Sequence, residues 1–322
     1  MTIPVLTPPT QAELAVPYLT PAGFAAYPTW LDLDNLVPGG VAALQTDELA
    51  EALLAASEWA IGVVENMPLH AHYVQGENLR TRSGNGGRLY IRPRHIPVRS
   101  IISLSYGWDP DAMSALSLPD PTMWVEDGRE VSWRPGGSTA AFTGPMIQFG
   151  APVRPGMQTY ITWSYVAGYP NTVLNAACTT GAASVTVTDP TGILPGDVLR
   201  IYDAGDTSST VGASEALTVA STYTPALPTV PPAAASIPLA AATQFAHAAG
   251  TGITGFPRKI IQAVIAYTVA LLMRDDTSAD RPATGFGPAV GAAHDAGGRM
   301  QPGALVAEAT RWLLPYAPTF RS

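Results

Sequence analysis

Cysteine is nearly absent from the sequence: Cys178 is the only one in 322 residues, which excludes an intramolecular disulfide and any zinc finger built on cysteine pairs. Charge is scarce as well. Asp, Glu, Lys and Arg together make up 13% of the chain and the net charge is -8, so the chain as a whole lacks the basic footprint that holds nucleic acid. An acidic surface instead lets DNA pass without adhering. No apolar run reaches the ~20 residues that a bilayer requires: the stretch from Ile260 to Met273 is too short and is interrupted by Gln262, and no membrane partner is expected. The opening residues, MTIPVLTPPTQAEL, show neither a basic start nor an apolar core, which reads as no secretion signal and implies synthesis and assembly in a cytoplasm. Catalytic signatures are missing too, with no GxSxG, no GxxxxGK[ST], no HExxH and no helical Glu-x-x-His pair. Nothing here argues for an enzyme or a cofactor.

What remains is apolar and heavily punctuated. Hydrophobic residues at 47% exclude wholesale disorder, and 31 Pro with 30 Gly indicate short elements, many turns and extended arms. The strongest helical stretch is GFPRKIIQAVIAYTVALLMRDD, Gly255 to Asp276. Pro257 stands where a helix start tolerates a missing N–H, and Ile260, Ile261, Val264, Ile265, Thr268, Leu271 and Leu272 recur at helical spacing. The other side carries Ala263, Ala266, Tyr267, Val269 and Ala270, and a helix apolar all round must be covered on several flanks. A second helix is expected in TDELAEALLAASEWAIGVVENMP, with Thr46 or Asp47 as cap and Asp47, Glu48 and Glu51 near the positive end of its dipole. Leu49, Leu53, Ala56, Ala60 and Val63 form its inner stripe, and Asn66 and Pro68 end it. So few helices leave the central one short of cover, and other copies of the chain are expected to supply the rest.

The expected fold class is α+β: a small helical bundle core with an antiparallel β-sheet and an inserted all-β sandwich or barrel domain. Residues 1–46 read as a Pro-rich arm that lies on a neighbour. Residues 47–170 hold the first helix and the sheet, in which Asn85-Gly86 and Asp127-Gly128 are the hairpin turns and PMIQFG is a further strand. Arg80, Arg82, Arg88, Arg92, Arg94 and Arg99 concentrate there, either as a solvated face paired with Glu77 and Glu126 or as a track for a partner. Residues 171–252 shift to short Ala-, Thr- and Val-rich strands separated by turns, the mark of an insert. Residues 253–322 hold the central helix, a Gly- and Pro-rich segment, and a last amphipathic helix with Leu305, Ala309, Trp312 and Leu313 on one side.

Three stretches carry candidate chemistry. Gly250 to Gly255 matches G-x-G-x-x-G, but no buried strand leads into it and no βαβ unit follows, so a linker is the better reading. His70, His72 and His95 could supply three imidazoles to a metal, although no acidic base stands near them in the sequence. Arg258 and Lys259 fall in the first turn of the central helix, where cations oppose the dipole; they face either passing DNA or a partner, or simply water. The seven tryptophans are scattered, as core or interface anchors are.

In this order of elements, four stretches resemble the head-to-tail adaptor (connector) proteins of long-tailed actinobacterial phages. They are YLTPAGFAAYPTWLDLDNLVPGG, ELAEALLAASEWAIGVVENMPLHAH, GRLYIRPRHIPVRSIISLSYG, and TWSYVAGYPNT followed across the insert by GFPRKIIQAVIAYTVALLMR. Simpler connectors are similar to the first helix, a short sheet ending in a Y-x-x-G-Y-P segment, here Tyr165 to Pro170, and the central helix. The large insert and the Pro-rich start depart from that pattern. The resemblance implies a virion protein of the phage neck: a ring, usually of twelve copies, below the portal protein. Such a ring continues the DNA channel, contacts DNA without reading its sequence, and presents a platform for a stopper, neck or tail protein. On that reading Ile260, Val264, Tyr267, Leu271, Leu53 and Trp59 lie at the ring interface, Trp312, Leu313, Phe320 and Arg321 dock on the portal, and Arg258 and Lys259 face the lumen or a partner. Another neck protein such as a stopper, or a metal-dependent virion enzyme using the three histidines, is the alternative.

Overall fold

A computed structural model of the chain describes residues 16–27, 29, 31, 33, 42–65, 67–82, 88–134, 158–203, 214–225, 227–229, 232–273 and 302–317. Local chemistry sets the helix ends. Helix α1 (Pro21–Ala25) is capped by Thr20, whose hydroxyl accepts the Gly23 N–H at 3.1 Å, with Pro21 at the first helical position. Helix α2 (Ala42–Val63) starts a turn earlier than its acidic residues suggest. Thr46 lies inside it and donates to the Ala42 carbonyl at 3.0 Å, so neither Thr46 nor Asp47 is a cap and the first turn holds no acidic residue. Helix α3 (Arg258–Leu272) follows Pro257, which holds the extended cap position itself. Helix α4 (Pro302–Leu313) runs into a tight turn, Leu314–Tyr316.

Helix α3 packs against both α2 and α4 around one apolar cluster. Tyr18, Leu19, Phe24, Met67, Leu69, Ile96 and Phe256 complete the cover of that cluster. The central helix is thus covered by its own chain along Ile260, Ile261, Val264 and Thr268, whereas Ile265, Tyr267, Leu271 and Leu272 are half-buried. Ile260, Val264 and Leu53 have no exposed surface, so they offer nothing to a second copy as ring-interface residues. Tyr267 and Trp59 are half-buried and stacked on each other, 4.1 Å apart and 7° from parallel, and Leu271 is half-buried too. The missing cover comes from segments too short and Pro-broken to read as core. Tyr18 shows how: its N–H donates to Ser57 Oγ at 2.9 Å and its hydroxyl accepts the Leu69 N–H at 2.9 Å. The described part of the Pro-rich start thus packs on its own chain.

Two antiparallel sheets enclose a second cluster that includes Trp133, Ile161, Trp163 and Tyr165. One has the order β1 (His72–Arg82), β7 (Gln158–Ala167), β3 (Val98–Gly107), β4 (Ser114–Ala115); the other β2 (Leu89–Ile91), β6 (Glu130–Trp133), β5 (Met123–Glu126). The Asp127-Gly128 hairpin joins β5 and β6 as expected, with φ of 51° and 68°, the two positive values that a type I′ turn requires. Asn85-Gly86 lies outside the described residues; on either side of it the Thr81 hydroxyl of β1 donates to the Tyr90 carbonyl of β2 at 2.8 Å, while β1 forms its ladder with β7 and β2 with β6. An 11-residue strand finds in the 10-residue β7 a partner of its own length, whereas β2 has three residues to offer. PMIQFG lies outside the described residues.

After Pro170 the chain leaves this body through β8 (Asn171–Val173) and returns through β13 (Gly252–Thr254), which pairs with β8. Between them lie β9 (Ser184–Val187), β10 (Val198–Ile201), β11 (Glu215–Thr218) and β12 (Ala235–Pro238). They form a four-stranded sheet, β11-β10-β13-β8, and a β12-β9 pair over a shared apolar core; no closed barrel occurs among the described residues. The glycine-rich match at 250–255 is thereby strand and strand edge, with the Gly250 N–H given to Leu174 and the Gly255 N–H to Pro170, rather than a phosphate loop. Arg99 of β3 ties this side unit to the body, donating from Nε to the Gly192 carbonyl at 3.1 Å and from Nη2 to the Asp197 carboxylate. Arg99→Ala is expected to cost about 1–3 kcal/mol and to split thermal unfolding into two transitions, followed by calorimetry; a single unchanged transition contradicts this.

Candidate functional site

The three candidate histidines, two of them neighbours in sequence and one distant, meet at the start of β1. The chain from Leu69 to Ala71 runs beside Tyr169, with the Ala71 N–H donating to the Tyr169 carbonyl at 2.6 Å and the Tyr169 N–H to the Leu69 carbonyl at 2.8 Å. Gly168, at φ 91°, lets the two backbones come that close. His70 turns inward, 8% exposed, against the Tyr18 ring at 6.1 Å. His72 Nδ1 donates to the His70 carbonyl at 2.8 Å, and its Nε2 meets His95 Nδ1 at 2.9 Å.

The nearby polar groups already have partners. The Glu77 carboxylate accepts the Arg94 N–H at 3.1 Å, the Trp163 indole N–H at 3.0 Å and the Tyr165 hydroxyl at 2.8 Å. The Tyr165 oxygen in turn accepts the His95 N–H at 3.3 Å. Burial pushes the His70 imidazole down to about 3, helped by His72, and the His95 imidazole down to about 4, helped by His72 and Arg94. His72 is lowered by burial, against a partial rise from its bond to the His70 carbonyl. Burial, then the Glu77 charge, raises Tyr165 above the usual phenol range. The rings are thus neutral at neutral pH, the form a metal would need, yet both nitrogens of His72 are engaged, and among the described residues no group of three His, Cys, Asp or Glu is placed to hold a metal ion.

The remaining candidates are dispersed. Arg258 and Lys259 are exposed at the start of α3. Trp312 is half-buried, but Leu313 has no exposure and packs into the core with Leu305 and Ala309, so Leu313 is a core residue rather than a docking one. Phe320 and Arg321 lie outside the described residues. Arg92 pairs with Glu130 at 2.8 Å, Arg94 lies 3.7 Å from the nearly buried Glu77 carboxylate, and Arg80 and Arg88 sit over Tyr160 and Trp124. Sequence reasoning missed one cluster, in the side unit. His247, fully buried, contacts Asp203 through Nδ1 at 3.1 Å and Glu215 through Nε2 at 2.9 Å. No spacing in the sequence could have joined those three. The two carboxylates sit off different edges of the ring and do not converge on a common point.

A cavity of about 30 Å³, lined by Leu69, Ile96, Pro97, Asp127, Arg129, Tyr169 and Tyr316, has room for a water or two. Among the described residues no helix is long and apolar enough to cross a membrane. Compared with known proteins, the chain matches no protein-family model and no curated sequence.

Proposed function

We propose that the chain is a structural protein of the virion neck, a head-to-tail adaptor. It forms a ring of twelve copies below the portal protein, continues the DNA channel without sequence-specific contact, and offers a platform to the next neck or tail protein. The observation that carries this reading is the base of the insert. The Gly255 N–H donates to the Pro170 carbonyl at 2.7 Å, so the excursion through 171–254 opens and closes at one point. Without it the chain runs from the Tyr165–Pro170 segment straight into α3, the order that the resemblance to simpler connectors implies. In the same reading α2, α3 and α4 act as a small helical bundle and the insert as a β-sandwich projecting outward.

The ring contacts belong to what stays outside: on α3 this is the half-buried flank of Ile265, Tyr267, Leu271 and Leu272. The outer side of α2 presents Leu44, 49% exposed, beside exposed Asp47, Glu48, Glu51 and Glu58, while Leu314, 57% exposed, follows α4. Heterologous contacts of this kind close into rings when the rotation between copies permits. Electron cryomicroscopy of the particle neck is the test. A cyclic density fitting this fold beneath the portal supports the proposal, a position farther along the channel makes the chain a stopper, and its absence from the neck removes the proposal.

A further inference from the structure

The imidazole cluster has no task in that assembly reading, and its hydrogen bonds fix its protonation. A carbonyl oxygen can only accept, so His72 must donate from Nδ1 to His70; its neutral ring then has a bare Nε2, which takes the Nδ1–H of His95. The relay runs one way, from His95 to His72 to the His70 carbonyl. An added proton on His72 turns Nε2 into a donor 2.9 Å from His95 Nδ1, so the bond survives only if His95 moves its own proton to Nε2, and the charge stays buried. His70, behind them, has a buried Nδ1 with no hydrogen-bond partner.

The surroundings give a charged ring no relief. On β1, Glu77 is committed to Arg94, Trp163 and Tyr165. The loop of 92–97 contributes Arg94, a cation next to His95 that disfavours its charging. Strand β7 contributes the Tyr165 phenol, and the N-terminal segment the Tyr18 phenol, whose oxygen accepts the Leu69 N–H. Beyond Ile96 and Pro97 stand Asp127 and Arg129, of opposite sign, and Tyr169 and Tyr316. No carboxylate is among the groups that shift any of the three rings.

We propose that this imidazole relay is an acid-released latch: neutral, it fastens the 92–97 loop to the start of β1 and to the helical core, and protonated, it lets that joint open. The sign follows from the depressed values, about 3 for His70 and about 4 for His95, with His72 lowered as well, against an ordinary 6.5. Opened rings accept protons that closed rings refuse. Closure is therefore at full strength above 6.5, is lost as the pH falls from there toward 4, and changes little once the closed rings titrate too. With three rings charging together, the opening constant rises by up to about a thousandfold per pH unit.

Hydrogen exchange on the full chain, corrected for the intrinsic pH dependence of exchange, reads the joint through the Gly168 amide, which donates to the Pro97 carbonyl at 2.9 Å, and the Ile96 amide, which donates to Met67 Sδ at 3.2 Å. Their opening constant is expected to rise at least about a hundredfold between pH 6.5 and pH 5, while the Leu199 and Ile201 amides in the side unit keep their protection. His95→Gln can still donate to His72 without titrating, and His70→Phe fills the same space against Tyr18; each should lower the slope by about one proton. An equal slope in the wild type and both variants, or a joint that opens only with global unfolding, overturns the latch. If a variant does not fold, long-range proton–nitrogen spectra of the wild type decide. A His72 ring protonated at Nδ1 alone, charging only as the joint opens, supports the latch, and a charged His72 in the closed form refutes it.

Discussion

Gly168→Ala is expected to destabilise the chain by on the order of 3–5 kcal/mol, the largest effect of any single methyl group added in the sheet region. At φ 91° an L-residue is strained to begin with, and the new Cβ would be driven into the backbone carbonyl of His70, with the Leu69 oxygen 2.9 Å away. Neither obstacle is the end of a flexible side chain, so the Leu69–Ala71 and Tyr169 backbones must separate and lose the two hydrogen bonds that join them. Gly181→Ala is the control. Its φ is 83° but nothing lies within 4 Å of the added atom, so it carries backbone strain of about 1 kcal/mol without collision. Urea titration of both variants distinguishes the terms, and near-equal losses would show that the collision is relieved.

Leu313→Asp is expected to abolish folding, since it places a carboxylate at a position with no exposure in the cluster shared with α3, at a cost of about 4 kcal/mol or more. Trp312→Ala, one residue earlier and half-buried, should cost about 1–2 kcal/mol and leave a cooperative fold. The pair separates two roles that truncation confuses. Removing 303–322 is expected to unfold the helical core as well, because Leu305, Ala309 and Leu313 go with it. The proposed portal binding is therefore to be tested in the folded Trp312 variant, by co-sedimentation. Unimpaired binding there would clear Trp312 of a docking role, and a soluble, cooperative Leu313→Asp protein would contradict its place in the core.

Much of the fold was legible because its signals are local. The periodicity from Ile260 to Leu272 identifies a helix whatever covers it, and Asp127-Gly128 dictates a turn through two backbone angles. The change of composition after Pro170 marks the excursion, since short strands between turns differ in residue content from the long β7. Partnership was less legible. The long ladder between β1 and β7 has no local signal, because β7 reaches β1 from far along the sequence. The cover that the chain itself gives the central helix was hard to see for a related reason: Tyr18, Phe24 and Phe256 bury well without belonging to any long periodic element. At the candidate site, the residue types of His70, His72 and His95 were visible, but the bond between His72 and His95 rests on where the loop before β3 places the latter. The His247 cluster left no trace in the sequence, because its members are far apart and each is an ordinary residue of a strand edge or loop.

The hydrogen bond between Gly255 and Pro170 has an evolutionary corollary. Entry and exit are neighbours on one ladder, so the side unit is attached as a graft on a stem. It can be lost, enlarged or exchanged for another whose termini lie one strand spacing apart, while the parent body keeps its register. A lineage carrying such a stem can vary what the side unit displays without redesigning the body that bears it.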